Sequence, residues 1–398
     1  MSSDATVRRN IFVLALAQTL GGSNGPIVIS LGGLVGQELT TDAALVTLPV
    51  SLYNLGLALG TLPAAFIMRR FGRRSGYLLG ACCGTAAGLI AFLGIYWASF
   101  WIFSLGTFVA GFYASYVQSY RFAAADGVTG PLKGIAISSV MIGGLAAAIL
   151  GPQLVIWTRE SIPMLPFAGA FIGQAALALM AIPVLLLLRA PDRAEARQGQ
   201  LSGGRPMGEI LRTPRYMLAV AAGVVSYGLM TFVMTAAPIA MVHTGHSVDH
   251  AALGIQWHVL AMFAPSFVTG RLMARYGKEK ITAIGLAIIG VSAMVALSGL
   301  DIGHFWVSLT LLGIGWNFGF LGATAMVTDC HTPEERSKVQ GTNDFIVFGI
   351  VAIASFTSGA LLNSSGWTML NWLVLPAVAL ILVPLIWRIR QAPAATAA

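Results

Sequence analysis

Long runs of apolar residues, separated by short polar segments, fill most of this sequence of 398 residues. The runs are continuous and do not alternate with a period of two, which excludes the strands of an outer-membrane barrel. A membrane-spanning helix needs roughly 20 apolar residues, and twelve stretches of this kind can be placed along the chain. The pattern therefore predicts an all-α membrane protein with twelve transmembrane helices.

The predicted helices form two sets of six, separated by a polar segment. The first set covers residues 11–35, 44–68, 75–97, 100–124, 134–157 and 164–188. The second set covers residues 216–242, 251–274, 281–300, 303–328, 341–362 and 367–387. Between them, residues 189–215 are rich in Gly, Ser and charged residues. We therefore expect a six-helix bundle over residues 1–188, a cytoplasmic linker over 189–215 and a second six-helix bundle over 216–398.

Composition agrees with a lipid environment. Hydrophobic residues make up 57% of the chain and charged residues 10%, and the mean hydropathy is +0.80. A soluble domain carries about 25% charged residues, which cover its surface. Because that charged surface is missing here, most of the exterior must contact lipid.

The positive charges define an orientation. The net charge is +8, and of the 23 Lys and Arg residues only Arg159 lies outside the two termini and alternate loops with their flanks. Cytoplasmic loops carry an excess of Lys and Arg. The distribution predicts a multi-pass protein of a bacterial-type inner membrane with both termini in the cytoplasm. It also argues against a nucleic-acid partner, since the basic residues do not form one patch.

A short repeat relates the two halves. Residues 68–74 read MRRFGRR after the second predicted helix, and residues 273–279 read MARYGKE after the eighth. The two segments lie about half the chain length apart. Internal repeats of this kind are typical of secondary transporters, which bind substrate near the membrane midplane between the repeats.

The first of these segments resembles a signature of the major facilitator superfamily, Gly-x-Leu-Ala-Asp-Arg-x-Gly-Arg-Arg/Lys. The second part matches through residues 70–74, whereas Ala65 stands at the family's glycine and Arg69 at its aspartate. The resemblance implies the fold of that superfamily and transport by alternating access. In the family the aspartate docks on the start of the eleventh helix, an interaction that Arg69 cannot make.

A glycine-rich stretch in the fifth predicted helix resembles the antiporter motif of the same superfamily. It contains Gly143 and Gly144 and closes with Gly151 and Pro152. Glycines allow a helix to approach its neighbour closely, and a proline bends it. The resemblance favours an antiporter that exports its substrate.

Polar and aromatic residues within apolar helices are candidates for the substrate cavity. Gly21 to Pro26 predict a break at the centre of the first helix, which would expose backbone groups. Taken together, the polar and aromatic candidates predict a cavity with aromatic walls and amide groups, which suits a neutral or weakly charged molecule with a planar portion. Arg121 would favour a substrate with an anionic group. The candidates are Asn24, Tyr53, Asn54, Tyr116, Gln118, Arg121, Tyr227, Gln256, Trp257, His258, Trp316 and Asn317.

Charged residues at the inner helix ends are candidates for gating and coupling. We expect Asp344 to pair with Arg70 or Arg73, and Asp126 to pair with Arg271 or Arg275 through the repeat. Such pairs would close the cytoplasmic side; the alternative is that they only anchor helix ends. Asp126 and Asp344 are also the acidic candidates for carrying protons, while a uniporter or a sodium-coupled carrier remains open.

Other classes of protein fit less well. A membrane enzyme would need carboxylates, His or Cys clustered at one membrane face, and a receptor would need a larger soluble domain. The histidines of residues 243–250 are more consistent with a solvated loop than with a metal site. We expect a monomer with no cofactor and no resident metal, which moves a small organic molecule; protons are a candidate coupling ion. Proton-coupled efflux is the first hypothesis, and uptake of a vitamin with a flat ring system, such as riboflavin, is the alternative.

Overall fold

The computed structural model describes residues 4–120, 123–124, 132–189, 204–332 and 335–391, which are helical apart from turns and a few connecting residues. The first half contains α1 (Asp4–Gly22), α2 (Asn24–Leu39), α3 (Leu48–Phe71), α4 (Arg73–Tyr96), α5 (Phe100–Gln118), α6 (Leu132–Thr158) and α7 (Ala168–Leu186). A short helix in the linker, α8 (Met207–Leu211), precedes the second half. The second half contains α9 (Pro214–His243), α10 (Val248–Phe263), α11 (Ser266–Tyr276), α12 (Lys278–Ser298), α13 (Ile302–Thr328) and α14 (Arg336–Gln391).

The lengths of these helices agree with a multi-pass membrane protein. Within the described ranges, nine helices are long and apolar enough to cross a membrane, and the bent pair α10–α11 makes a tenth span. Helix α14 has 56 residues, which is more than twice the length of one crossing. Helix α6 has 27 residues. With α14 counted as two crossings and α6 as one, the path of the chain accommodates the twelve predicted helices.

Three helices contain local irregularities. The predicted break in the first helix is mild: only Ser23 separates α1 from α2, and its backbone stays near helical values (φ −65°, ψ −21°). The eighth predicted helix is instead bent by 41° between α10 and α11, where Pro265 lacks the N–H that would continue the ladder. In α14 the non-helical residue Gly366 (φ 77°) marks the turn between the last two crossings.

The two halves use the same helix pairings. In the first half, α3 and α4 pack on α5, α4 packs on α7, and α1 packs on α6. In the second half, α10 and α12 pack on α13, α12 packs on α14, and α9 packs on α14. The two sets of pairings therefore correspond one to one. The sequence repeat is thus also a repeat of three-dimensional structure.

The repeated loop segment has the same backbone shape in both halves. Gly72 separates α3 from α4 with φ 88° and ψ 156°. Gly277 separates α11 from α12 with φ 91° and ψ 149°. Residues with a side chain rarely adopt this region of the backbone map, so glycine is required at both turns.

Contacts of α3 with α14 and of α6 with α10 join the two halves. The start of α1 lies beside the end of α7, where Asn10 Nδ2 donates to Arg189 O at 2.9 Å. We call this the termini end, and it also holds the turns at Gly72 and Gly277. The opposite end holds residues 40–47, 159–167 and 244–247 and is called the distal end.

Candidate functional site

Hydroxyl groups from both halves meet near the distal end. Ser51 Oγ of α3 donates to Ser355 Oγ of α14 at 3.2 Å, and Thr235 Oγ1 of α9 lies 3.1 Å from the same atom. All three side chains are buried. Closer to the distal surface, the Gln37 amide hydrogen-bonds to the His243 ring at 2.9 Å. These contacts join the two halves at the distal end.

The close approach of the halves depends on small residues. A Cβ atom at Gly359 of α14 would overlap the Thr47 side chain that precedes α3. A Cβ atom at Gly33 of α2 would lie 2.6 Å from Ile239 Cδ1 of α9. Such separations are shorter than van der Waals contact. A side chain at Gly359 would therefore force Thr47 away, whereas at Gly33 the flexible end of Ile239 would have to move.

A second set of contacts joins α6 to α10 on the same side of the molecule. Gln153 Nε2 donates to Gln256 Oε1 at 3.0 Å. Nearer the distal surface, Arg159 forms an ion pair with Asp249 at 2.9 Å. Arg159 is the basic residue that the sequence places away from the two termini and the alternate basic loops. Its partner, Asp249, belongs to the other half.

Five aromatic rings form a cluster at the centre of the second half. Trp316 and Phe320 of α13 are stacked, with centroids 5.3 Å apart and planes at 22°. Tyr227 of α9 lies 5.4 Å from Trp316 and 5.0 Å from Phe320, and it contacts Phe348 of α14 at 5.6 Å. Phe263, the last residue of α10, lies 6.5 Å from Trp316. These five residues are called the aromatic cluster, and each comes from near the middle of a membrane crossing.

The aromatic cluster faces the first half. Gly144 of α6 lies opposite Phe263, since a Cβ atom there would be 3.9 Å from the phenyl ring. The phenol of Tyr53 is close enough to that of Tyr227 for the two to interact electrostatically. Tyr53 lies one and a half turns from the distal start of α3, so it sits between the cluster and the distal closure. The structure thus places Tyr227 beside Trp316 and within electrostatic range of Tyr53; that these residues bind substrate stays a prediction.

Two predicted candidates use their polar atoms within their own half. Asn24 Nδ2 donates to Ala110 O at 2.9 Å, and Asn24 Oδ1 accepts from Gln174 at 2.8 Å. Asn317 Nδ2 donates to Met262 O at 2.7 Å, and Asn317 Oδ1 accepts from Thr269 at 2.6 Å. In the structure these amides connect helices of one bundle.

The remaining cavity candidates are dispersed. Asn54 bonds to Val50 O in its own helix at 3.2 Å, and His258 Nδ1 lies 2.7 Å from Leu309 O. Tyr116 packs against Gly80 of α4. Trp257 is 46% exposed and borders a shallow apolar groove on the outer surface. Gln118 is exposed at the end of α5, and Arg121 lies outside the described residues.

The glycines of α6 point in two directions. A Cβ atom at Gly143 would overlap Ala15 O of α1, and one at Gly151 would lie 2.9 Å from Ser23 O. Gly144 faces Phe263 of the other half instead. Pro152 lies within the same helix. The motif therefore allows α6 to pack on α1 while leaving an open face toward the aromatic cluster.

The predicted gating residues lie at the termini end. Asp344 is exposed near the start of α14 and accepts from Asn343 Nδ2 at 3.1 Å. Arg73 donates to the Tyr77 hydroxyl at 3.3 Å, and Arg70 lies over the Phe71 ring. Arg271 and Arg275 are exposed, while Asp126 lies outside the described residues. The ion pairs proposed for these residues stay predictions.

Sequence reasoning missed a contact between the linker and the loop that joins α13 to α14. The carboxylate of Glu335, between α13 and α14, is 1% exposed and pairs with Arg205 of the linker at 2.9 Å. It also accepts from the backbone N–H of Arg205 at 2.8 Å and of Thr332 at 3.1 Å. The Arg205 guanidinium and these N–H groups hold the pKa of the Glu335 carboxyl well below its usual range. The sequence shows a Glu-Glu-Arg run here but not its distant partner.

Among the described residues, no group of three or more His, Cys, Asp or Glu is placed to hold a metal ion. The repeat, the matching helix pairings and the central aromatic cluster are all features of a two-bundle carrier. A model of the Major Facilitator Superfamily matches residues 11–254 and again residues 219–398. The chain belongs to the major facilitator superfamily. This superfamily member is therefore a multi-pass membrane transporter and not an enzyme.

Individual relatives of this transporter span its whole length. The chain is 69% identical over 397 residues to the riboflavin transporter RfnT of Brucella anthropi, and the match covers 100% of both chains. It is 28% identical to YddS of Bacillus subtilis, an uncharacterized transporter of the same type, over 96% of this chain and 92% of that one. YdeG of Bacillus subtilis, also uncharacterized, is 28% identical over 95% and 91% of the two chains.

Proposed function

We propose that the protein carries riboflavin into the cell across the cytoplasmic membrane. The observation that carries this proposal is the full-length, 69% identity to a riboflavin transporter. It favours uptake of a flat-ringed vitamin, the alternative from the sequence, over proton-coupled efflux, the first hypothesis. The glycines of α6 inclined the sequence reading toward export, but their close packing on α1 serves helix association in a carrier of either direction.

The aromatic cluster suits this substrate. Riboflavin has a planar, uncharged three-ring system, and aromatic pairs prefer stacked or edge-to-face geometries with centroids 4.5–7 Å apart. Tyr227, Phe263, Trp316, Phe320 and Phe348 supply such rings from four helices. A ligand between them and the first half would contact both bundles, so its binding would couple their movement.

In this proposal the gating residues act when the carrier changes between its two open states. The distal end is closed by direct contacts between the halves, and a carrier opens its two ends in alternation. The opposite, distal-open state therefore needs a closed termini end. We propose that Asp344 pairs with Arg70 or Arg73 in that state. If so, Asp344→Asn slows transport and Asp344→Glu retains it; equal transport by both variants would contradict this role.

Direct transport measurements test the main proposal. The gene is expressed in a bacterial strain that can neither make riboflavin nor import it. We expect growth on low external riboflavin and accumulation of radiolabelled riboflavin. Tyr227→Ala should reduce this uptake, and Trp257→Ala should leave it near the wild-type value. Faster loss of preloaded riboflavin, without accumulation, would instead show export.

The orientation is tested by labelling. Met164 is almost fully exposed in the loop between α6 and α7, and Gln391 is exposed at the end of α14. In a variant in which Cys82, Cys83 and Cys330 are replaced by serine, we introduce Met164→Cys or Gln391→Cys. In spheroplasts a membrane-impermeant maleimide should label only the first. Labelling of the second alone would place the termini outside.

A further inference from the structure

The indole N–H of Trp316 has no hydrogen-bond partner among the described residues. The side chain is 7% exposed, and Nε1 is buried. Trp306, ten residues earlier on α13, shows the usual arrangement, because its Nε1 donates to His250 O at 3.0 Å. Buried polar groups are nearly always paired, and an unpaired donor costs free energy. An exception at the centre of a carrier points to a ligand as the missing partner.

The surroundings of this N–H are aromatic. Phe320 stacks on one face of the indole, and the rings of Tyr227 and Phe263 meet it at 60° and 71°. An indole N–H lies in the ring plane and can only donate. A flat ligand that enters the aromatic cluster thus meets rings that can stack on it and one directed donor that needs an acceptor.

We propose that Trp316 is a specificity-determining residue whose Nε1–H donates to an acceptor atom on the edge of the bound flavin ring. This inference rests on the proposed function. The ring nitrogens and carbonyl oxygens of riboflavin provide the acceptor, and the cluster rings that cover Nε1 in the ligand-free protein move apart to admit it. A flat hydrocarbon would leave the donor unpaired, as it is in the ligand-free protein, and would therefore lack the gain in affinity that one hydrogen bond gives, roughly 2- to 10-fold.

Trp316→Phe tests this role, since it removes the donor and keeps an aromatic ring. Binding to purified protein is measured by the quenching of riboflavin fluorescence, and folding by thermal unfolding. We expect the Kd for riboflavin to rise roughly 2- to 10-fold, the effect of one neutral hydrogen bond. The ligand-free Tm should fall only by the packing cost of placing a smaller ring at a buried position, because no hydrogen bond is lost in that state. The matched control is Trp257→Phe, the same replacement at a tryptophan on the outer surface, which should leave Kd unchanged.

A spectroscopic measurement separates a hydrogen bond from packing. In protein labelled with ¹⁵N at the tryptophan indoles, the Trp316 cross-peak is identified by its absence in Trp316→Phe. Riboflavin should shift its proton resonance downfield. A wild-type protein that binds riboflavin, with an unshifted Trp316 resonance and an unchanged Kd in Trp316→Phe, would overturn the inference alone. Failure of the wild-type protein to bind riboflavin would overturn both this inference and the proposed function.

Discussion

At the scale of single residues, the side chain's partners decide its role. Asn24 and Trp316 are both polar residues within apolar helices, and both are buried. Both polar atoms of Asn24 are paired with α5 and α7, whereas the Trp316 N–H has no partner in the part of the chain that the structure describes. The first side chain therefore links helices of one bundle, and the second holds the donor that we propose to pair with the substrate.

Asn24→Ala should reduce stability and spare substrate affinity. The replacement leaves Ala110 O and the Gln174 amide without their buried partner, which costs about 1–3 kcal/mol. We expect a lower Tm and a Kd for riboflavin close to the wild-type value. Asn54→Ala is the control, because the hydrogen bond of Asn54 among the described residues is to Val50 of its own helix, and its loss should lower Tm less. Loss of riboflavin affinity at unchanged Tm would show that Asn24 contacts substrate.

The Glu335 carboxylate should make stability depend on pH. Its pKa in the folded protein is held below the ordinary value of 4.5, first by its hydrogen bonds to Arg205. The stabilisation is therefore complete above pH 4.5 and is lost as the pH falls toward the folded pKa. We expect Glu335→Gln to lower Tm at neutral pH, with a difference from wild type that shrinks in acid. A difference independent of pH would contradict this assignment. Glu209→Gln, at an exposed position in α8, is the control.

At the scale of elements, one helix can serve two functions through two faces. The glycines of α6 that face α1 allow close helix packing, and the glycine beside them faces Phe263 across the interface between halves. Since neighbouring residues on a helix point about 100° apart, adjacent glycines contact different partners. A motif that reads as one feature in the sequence is therefore two features in the structure.

Gly143→Ala and Gly144→Ala should differ in their effects. A methyl group at Gly143 overlaps Ala15 O and must push α1 away, and overpacking of this kind costs about 1–3 kcal/mol. A methyl group at Gly144 would lie 3.9 Å from Phe263, an ordinary contact. We expect Gly143→Ala to lower Tm clearly and Gly144→Ala to leave it near wild type. Equal Tm values for the two variants would contradict the assignment of the two faces.

At the scale of the whole molecule, the structure shows a carrier closed at its distal end. The closure combines buried hydroxyl contacts with positions that exclude side chains. Such contacts exist only while the two bundles are together there. The balance between the two open states therefore depends on how well this surface fits.

Gly359→Ala should shift that balance toward the distal-open state. The added methyl group overlaps Thr47 only when the distal end is closed. With spin labels at the exposed positions 38 and 364, we expect longer distances in Gly359→Ala than in wild type. Gly349→Ala is the control, because a Cβ atom at that position of the same helix meets nothing within 4 Å. Identical distance distributions in the two variants would exclude this steric role.

The sequence by itself determined the membrane environment, the helices and the repeat. Hydropathy reports the solvent of each segment, and the positive charges predict which ends share a compartment, because both are local properties of the chain. It also selected as candidates Tyr227 and Trp316, aromatic residues near helix centres, and Tyr53, an aromatic residue near the distal start of α3. The packing of the helices decided the rest. The rotation of each helix against its neighbours decides whether Asn24, Asn317 or Trp257 faces a cavity, a neighbouring helix or lipid. The Arg205–Glu335 pair joins residues that are distant in the chain. Such contacts leave no periodic signal in a single sequence, so only the tertiary structure could assign them.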